Sequence, residues 1–226
     1  MQFTTVALSL LAMSPLSALA RALPETRIVA RELPNMPDCK VSNARMPVAP
    51  TPLPVPEAGL SVAQVVVGRG TQNYTCASST SDDEPEAAGA LAQLFNATCI
   101  AATYPELLSR MTVLAMDFPI PTSDDPDSPT SRMHSGTHFF QNATTPFFTL
   151  EDAGLGHVAL SKKNVTDAPN KEDDVKWLKL ASNGAEDNAW QEVYRVNTVG
   201  GVPPKTCEGL QSTFTVQYSA EYWFWA

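Results

Sequence analysis

Two carboxylates stand inside apolar, strand-like runs instead of the surface acidic clusters: Glu192 in WQEVYRV and Glu221 in QYSAEYWFW. Carboxyl groups facing each other across a cleft can do acid and base work at a glycosidic bond, with Trp and Tyr rings as platforms for the sugar. Glu192 and Glu221 are therefore candidate catalytic residues, and Trp223, Trp225 and Arg195 from the same runs are candidate binding groups. The competing reading is structural. Strand residues of this kind also fill covered faces, and Arg195 can pair with an acidic neighbour instead of a ligand.

His138 is a further catalytic candidate. It lies four residues from His134, which in a regular strand places both on one face, and Asp124, Asp125 and Asp127 are near in sequence, so a metal site is conceivable. Gly136 interrupts the strand between the two histidines. The expectation is therefore no metal, with the rings satisfied by hydrogen bonds beside Phe139 and Phe140. Gly68-Arg69-Gly70 after an apolar run invites a dinucleotide-binding reading, yet the third glycine position is Asn73 and a strand follows. A tight hairpin reversal is expected there. GxSxG, P-loop and HExxH patterns are absent, and no cofactor is expected.

The frame that must hold these residues is bounded by composition. The chain has 226 residues, 43% hydrophobic and 17% charged, which suits one globular domain. A net charge of −9, with no basic run longer than Lys162-Lys163, argues against nucleic acid and anionic membrane as partners. Residues 1–20 are uncharged and largely apolar and end in Ala18-Leu19-Ala20, which predicts a secretory signal peptide. Four Asn-x-Thr sequons, at Asn73, Asn96, Asn142 and Asn164, agree with export and N-glycosylation. Cys39, Cys76, Cys99 and Cys207 are an even set without CxxC spacing, so disulfides are favoured over zinc, in any of three connectivities.

Residues 21–59 read as an N-terminal arm, because residues 47–56 (PVAPTPLPVP) hold five prolines and cannot join a central strand. The arm either offers a polyproline ligand or lies on the domain. From residue 60 the expected fold class is mainly β, an antiparallel β-sandwich or barrel with a short helical insertion. Val62–Val67 and Thr71–Cys76 read as the hairpin strands. Ala87, Ala90, Leu91, Leu94 and Phe95 form one apolar stripe at helical spacing, and a second helix is expected from Thr103 with Glu106 closing a capping box. Strands follow at His138–Gln141, Pro146–Leu150, His157–Ser161, Val175–Leu180, Trp190–Val199 and Thr213–Trp225, after a polar loop at 123–131. In the last strand, Phe214, Val216, Tyr218, Ala220, Tyr222 and Phe224 share the core face. Glu221, Trp223 and Trp225 lie on the other.

At GRGTQNYTC (68–76), LFNATC (94–99), ATYPELL (102–108), NATTPFF (142–148), WLKL (177–180), EVYRVNTVGG (192–201) and VQYSAEYWFW (216–225), the chain resembles a family of secreted fungal proteins with shorter bacterial relatives, catalogued as a domain of unknown function. Fungal members often carry a malate dehydrogenase label. The residues oppose it, since the glycine fingerprint is missing and the mature length is too short for nucleotide and catalytic domains together. The resemblance implies Cys76 with Cys207, and Cys39 with Cys99. It also shows His138-Phe139 and Phe147-Phe148 replacing a bacterial His-Tyr and Trp. The leading functional expectation is a non-enzymatic extracellular protein binding cell-wall or host carbohydrate. The rivals are a carbohydrate-active hydrolase using Glu192 and Glu221, and a structural wall or spore-surface component.

Overall fold

The computed structural model describes residues 39–121 and 133–226. The predicted signal peptide, the first part of the arm, and the loop carrying Asp124, Asp125 and Asp127 lie outside the described residues. Eight antiparallel strands close into a barrel: β1 (Val62–Thr75), β2 (Glu86–Asn96), β3 (His134–Asn142), β4 (Thr145–Thr149), β5 (His157–Thr166), β6 (Trp177–Ser182), β7 (Glu192–Gly200) and β8 (Thr213–Trp225). Each strand pairs with its sequence neighbour, and β8 returns to pair with β1 along its whole length. Between β2 and β3 the chain forms helices α1 (Thr98–Thr103) and α2 (Pro105–Met116).

The apolar alternation in these strands builds two cores. Val66, Leu94, Phe148, Leu160, Val193, Tyr222 and Phe224 point into the barrel. Val65, Val67, Trp177, Tyr194, Val196 and Trp223 point outward and are covered by Ala44, Met46, Ala49 and Leu53 of the arm and by Ala101 and Leu108 of the helices. Burial of both faces is why Val65-Val66-Val67 reads as an unbroken apolar run and not an alternating one. Each fully buried large apolar side chain contributes about 1.5–3 kcal/mol relative to an exposed one. The proline-rich segment is fastened by backbone acceptors: Lys179 Nζ donates to Val55 O at 2.8 Å, and Thr166 Oγ1 donates to Thr51 O at 2.8 Å.

Three local expectations are corrected. Gly68 and Gly70 do not turn the chain; they sit in the middle of one continuous strand, β1. Their reason is close approach: a Cβ on Gly68 would lie 2.6 Å from the Tyr222 ring, and one on Gly70 would lie 1.9 Å from Leu91 O. The stripe at 87–95 is strand β2 and not a helix. Its small inward side chains, Ala90 and Ala92, leave space inside the barrel, and pairing with both β1 and β3 overrides helical spacing. A helix does follow Thr103, but Thr103 ends α1, and α2 starts at Pro105 after Tyr104 with no side-chain cap, so there is no capping box. Pro at the first turn supplies the helical φ without needing an amide donor.

The two disulfides fasten different layers. Cys39–Cys99 joins the arm to α1, and Cys76–Cys207 joins the end of β1 to the connection before β8.

Candidate functional site

Alternation along β7 and β8 sends both glutamates to the outer, covered side. Glu221 is fully buried. Trp223 Nε1 and Asn197 Nδ2 each donate to it at 2.8 Å, while the same Asn197 amide donates to Ser109 O of α2 at 3.0 Å. Burial pushes the Glu221 carboxyl up to about 7, against the pull of those two donors. Asn197 adopts φ 45° where the β7–β8 register shifts, which turns its amide toward the helix.

Glu192, 2% exposed, lies beneath the arm. Lys179 Nζ stands 2.8 Å from its Oε1, off the line of a hydrogen bond, so the contact is an ion pair. The Tyr194 hydroxyl is 3.1 Å from Glu192 Oε2 and 2.9 Å from Pro54 O and has one proton for the two. Burial and the Glu192 charge push that phenol up. Glu221 is opposite Val196, four positions along β7 from Glu192. At strand rise their backbone positions lie about 13 Å apart along the sheet, and the two carboxylates share no partner. The structure does not bring them together over a cleft. Trp223 is fully buried and Trp225 packs on Tyr194 with ring centroids 6.2 Å apart, so Trp223 presents no open stacking face.

The inner side collects the other candidates. Arg195 faces into the barrel, paired in register with Tyr222. Its Nε and Nη2 donate to Lys176 O at 3.2 and 2.8 Å, and Nη1 reaches Gln72 Oε1 at 3.5 Å. The Tyr218 and Tyr222 hydroxyls meet at 2.7 Å. His138 stacks on Phe148 with centroids 4.0 Å apart, and its Nδ1 lies 2.9 Å from Phe147 O. Burial lowers His138 to about 3, so the ring is neutral and Nδ1 carries the proton. His134 does not join it: its Nε2 meets Gln93 at 2.6 Å and its Nδ1 faces Asp152 at 3.2 Å. Gly136, at φ 152°, breaks the alternation between them, and a Cβ there would collide with Thr149 O.

The groups that face solvent together were not singled out by the sequence reading, and two of them, Phe214 and Val216, expected on the core face, are only half-buried because β8 runs past the packed core at this end. An open depression of about 700 Å³ lies at the barrel end between β7 and β8, lined by Glu172, Asp173, Lys205, Phe214, Thr215 and Gln217 with Gly200–Pro204. Phe214 stacks on Tyr74 with centroids 5.5 Å apart. These residues come from loops and strand ends, where no periodic pattern marks them; the doubled Gly and doubled Pro of GGVPPK (200–205) are the one local signal. Arg69 was also missed. Only 2% exposed, it donates to the carbonyls of Ala115 and Phe118 at the end of α2, at 2.8 and 3.2 Å, and to Gln217. It clamps the helix to the barrel where the helix dipole is negative.

Among the described residues, no helix is long and apolar enough to cross a membrane. No curated protein and no solved structure matches the chain. The family model for DUF3455, described as protein of unknown function, matches residues 56–226, from the last proline of the arm through the whole barrel, and the chain belongs to that family.

Proposed function

We propose that this is a secreted, N-glycosylated, non-enzymatic extracellular protein that binds cell-wall or host carbohydrate at the barrel-end depression. The observation that carries the reading is the contrast in access: Glu192 and Glu221 are buried beneath the arm and α2, whereas Glu172, Asp173, Thr215, Gln217 and the Phe214 ring border open solvent. Planar acceptors beside an aromatic ring suit sugar hydroxyls and the apolar face of a pyranose. Export is supported by the apolar first twenty residues, the two disulfides, and the exposure of Asn96, Asn142 and Asn164, with Asn73 partly exposed.

A glycan array probed with the wild type and with Phe214→Ala tests the site. Binding that Phe214→Ala abolishes supports it; absence of binding to any glycan leaves a structural wall or surface role as the better account. N-glycosidase treatment of protein from a eukaryotic host is expected to lower its apparent mass, and an unchanged mass refutes the glycoprotein reading.

A further inference from the structure

We propose that the outer face of strands β5 to β8 is a recognition groove for an extended proline-rich segment of a partner protein, and that residues 49–56 fill it in cis as a displaceable strap. Pro50, Pro52, Pro54 and Pro56 fix their own φ and hold the residue before each of them extended, so the segment is preset for a polyproline II course. Within 49–57 only Ala49, Leu53 and Pro56 are turned from solvent, at a spacing close to the roughly three residues per turn of that helix. A chain of this shape makes no hydrogen bonds of its own and leaves its carbonyls for a partner. The face meets three of them: Thr166 Oγ1 donates to Thr51 O at 2.8 Å, the Tyr194 hydroxyl lies 2.9 Å from Pro54 O, and Lys179 Nζ donates to Val55 O at 2.8 Å. Leu53 packs on the cluster that holds Trp177, Tyr194 and Trp225. Aromatic rings interleaved with donors are the means by which proline-rich ligands are read.

The strap does not use all that the face offers. The Nε1 atoms of Trp177 and Trp225 are buried and find no acceptor among the described residues, although a buried indole N–H ordinarily has one. Trp177, 3% exposed, stands opposite Thr166 in the β5–β6 pairing, and Trp225 packs on Tyr194, so each flanks a donor that holds the strap. A ligand whose carbonyls also reach these indoles is held better than the strap is. The strap is also lightly held: its prolines have no N–H to give, it joins no strand, and the Val55 side chain is 80% exposed. Cys39–Cys99 on one side and β1 on the other keep it near the groove, so it can leave the face and return while the barrel stays paired. Such tethering acts as a local concentration on the order of millimolar, which a free ligand must overcome. The donors of the face all lie in the region shared with the family, and residues 49–55 precede it. The groove has no residue in common with the barrel-end depression and is independent of the carbohydrate reading.

The test uses the whole mature protein and a fluorescent synthetic peptide of residues 46–57, with binding read by anisotropy and folding by near-ultraviolet circular dichroism. Leu53→Asp removes the strap's contact with the cluster, and Cys39→Ser lowers its local concentration. Each is expected to bind the peptide at least about tenfold more tightly than the wild type, whose strap competes in cis. In the Leu53→Asp background, Tyr194→Phe and Thr166→Val each delete one donor and are expected to weaken binding about fivefold. A peptide with Pro50, Pro52, Pro54 and Pro56 replaced by Ala is expected to bind more weakly by a similar factor. Both strap variants are expected to stay monomeric in light scattering; a dimer assigns the groove to the strap of a second copy and overturns a separate partner. Wild-type binding as tight as that of the strap variants, no binding by either variant, unchanged affinity in both donor variants, equal affinity for the alanine peptide, or failure of both strap variants to fold overturns the proposal.

Discussion

The barrel and its outer cover differ in how they hold together. The barrel is closed by continuous backbone pairing and locked at one end by Cys76–Cys207; the cover, made of the arm and two helices, leans on it through side chains, carbonyl acceptors and Cys39–Cys99. Buried cations differ too: Lys179 beneath the cover has a carboxylate partner, whereas Arg195 inside the barrel and Arg69 at the end of α2 spend their donors on neutral oxygens. A matched pair stabilises a contact between layers.

The largest effect is expected where the barrel itself is opened. The Cys76–Cys207 bridge spans 131 residues; the chain-entropy model assigns such a loop about 5 kcal/mol, so Cys207→Ser should lower Tm markedly in calorimetry. A Tm unchanged from wild type would show that strand pairing alone closes the barrel.

Next comes the pair beneath the arm. Glu192→Gln leaves Lys179 buried without a counter-charge and is expected to cost about 3–5 kcal/mol in chemical denaturation, while the double variant Lys179→Met/Glu192→Leu recovers most of the loss. If single and double variants lose the same amount, the pair is not what holds the cover.

Glu221 gives a pH test. Its folded value of about 7 lies above its ordinary 4.5, so the native state binds the proton more tightly than the unfolded chain. The stability this provides is complete below about 4.5 and is lost as pH rises through 7, amounting to about 3 kcal/mol. Glu221→Gln should flatten that slope in denaturation curves taken from pH 4 to 8; a variant with the wild-type slope would assign it to another group.

The smallest change in Tm is expected from Cys39→Ser. The arm can detach while the barrel stays paired, so the visible result should be faster proteolytic cutting between residues 40 and 60. A Tm loss equal to that of Cys207→Ser would make the arm part of one cooperative unit and erase the comparison.

Much of the fold was legible in the residues. The strands from His138 to Trp225 alternate and are bounded by Gly, Pro, Asn and Asp, and their expected spans overlap β3 to β8. The first two strands were obscured because their small residues answer to distant partners: Gly68 makes way for the Tyr222 ring, and the alanines of β2 mimic a helical stripe while pairing on both edges. Glu192 and Glu221 stood out by charge, but whether an outward face is open depends on what covers it, and the cover comes from residues 44–53 and 98–116. The depression escaped notice since its members, from Glu172 to Gln217, meet only after the barrel closes.

That closure sets a condition on synthesis. Because β1 finds its second edge only in β8, and Ser61 and Ala226 exchange backbone hydrogen bonds at the seam, a nascent chain paused at residue 212 would hold seven strands with both outer edges open. Unpaired edges recruit other chains. Strand β8 therefore acts as the step that ends exposure to misassembly, and a chain cut short within it should yield aggregate instead of a shortened, soluble protein.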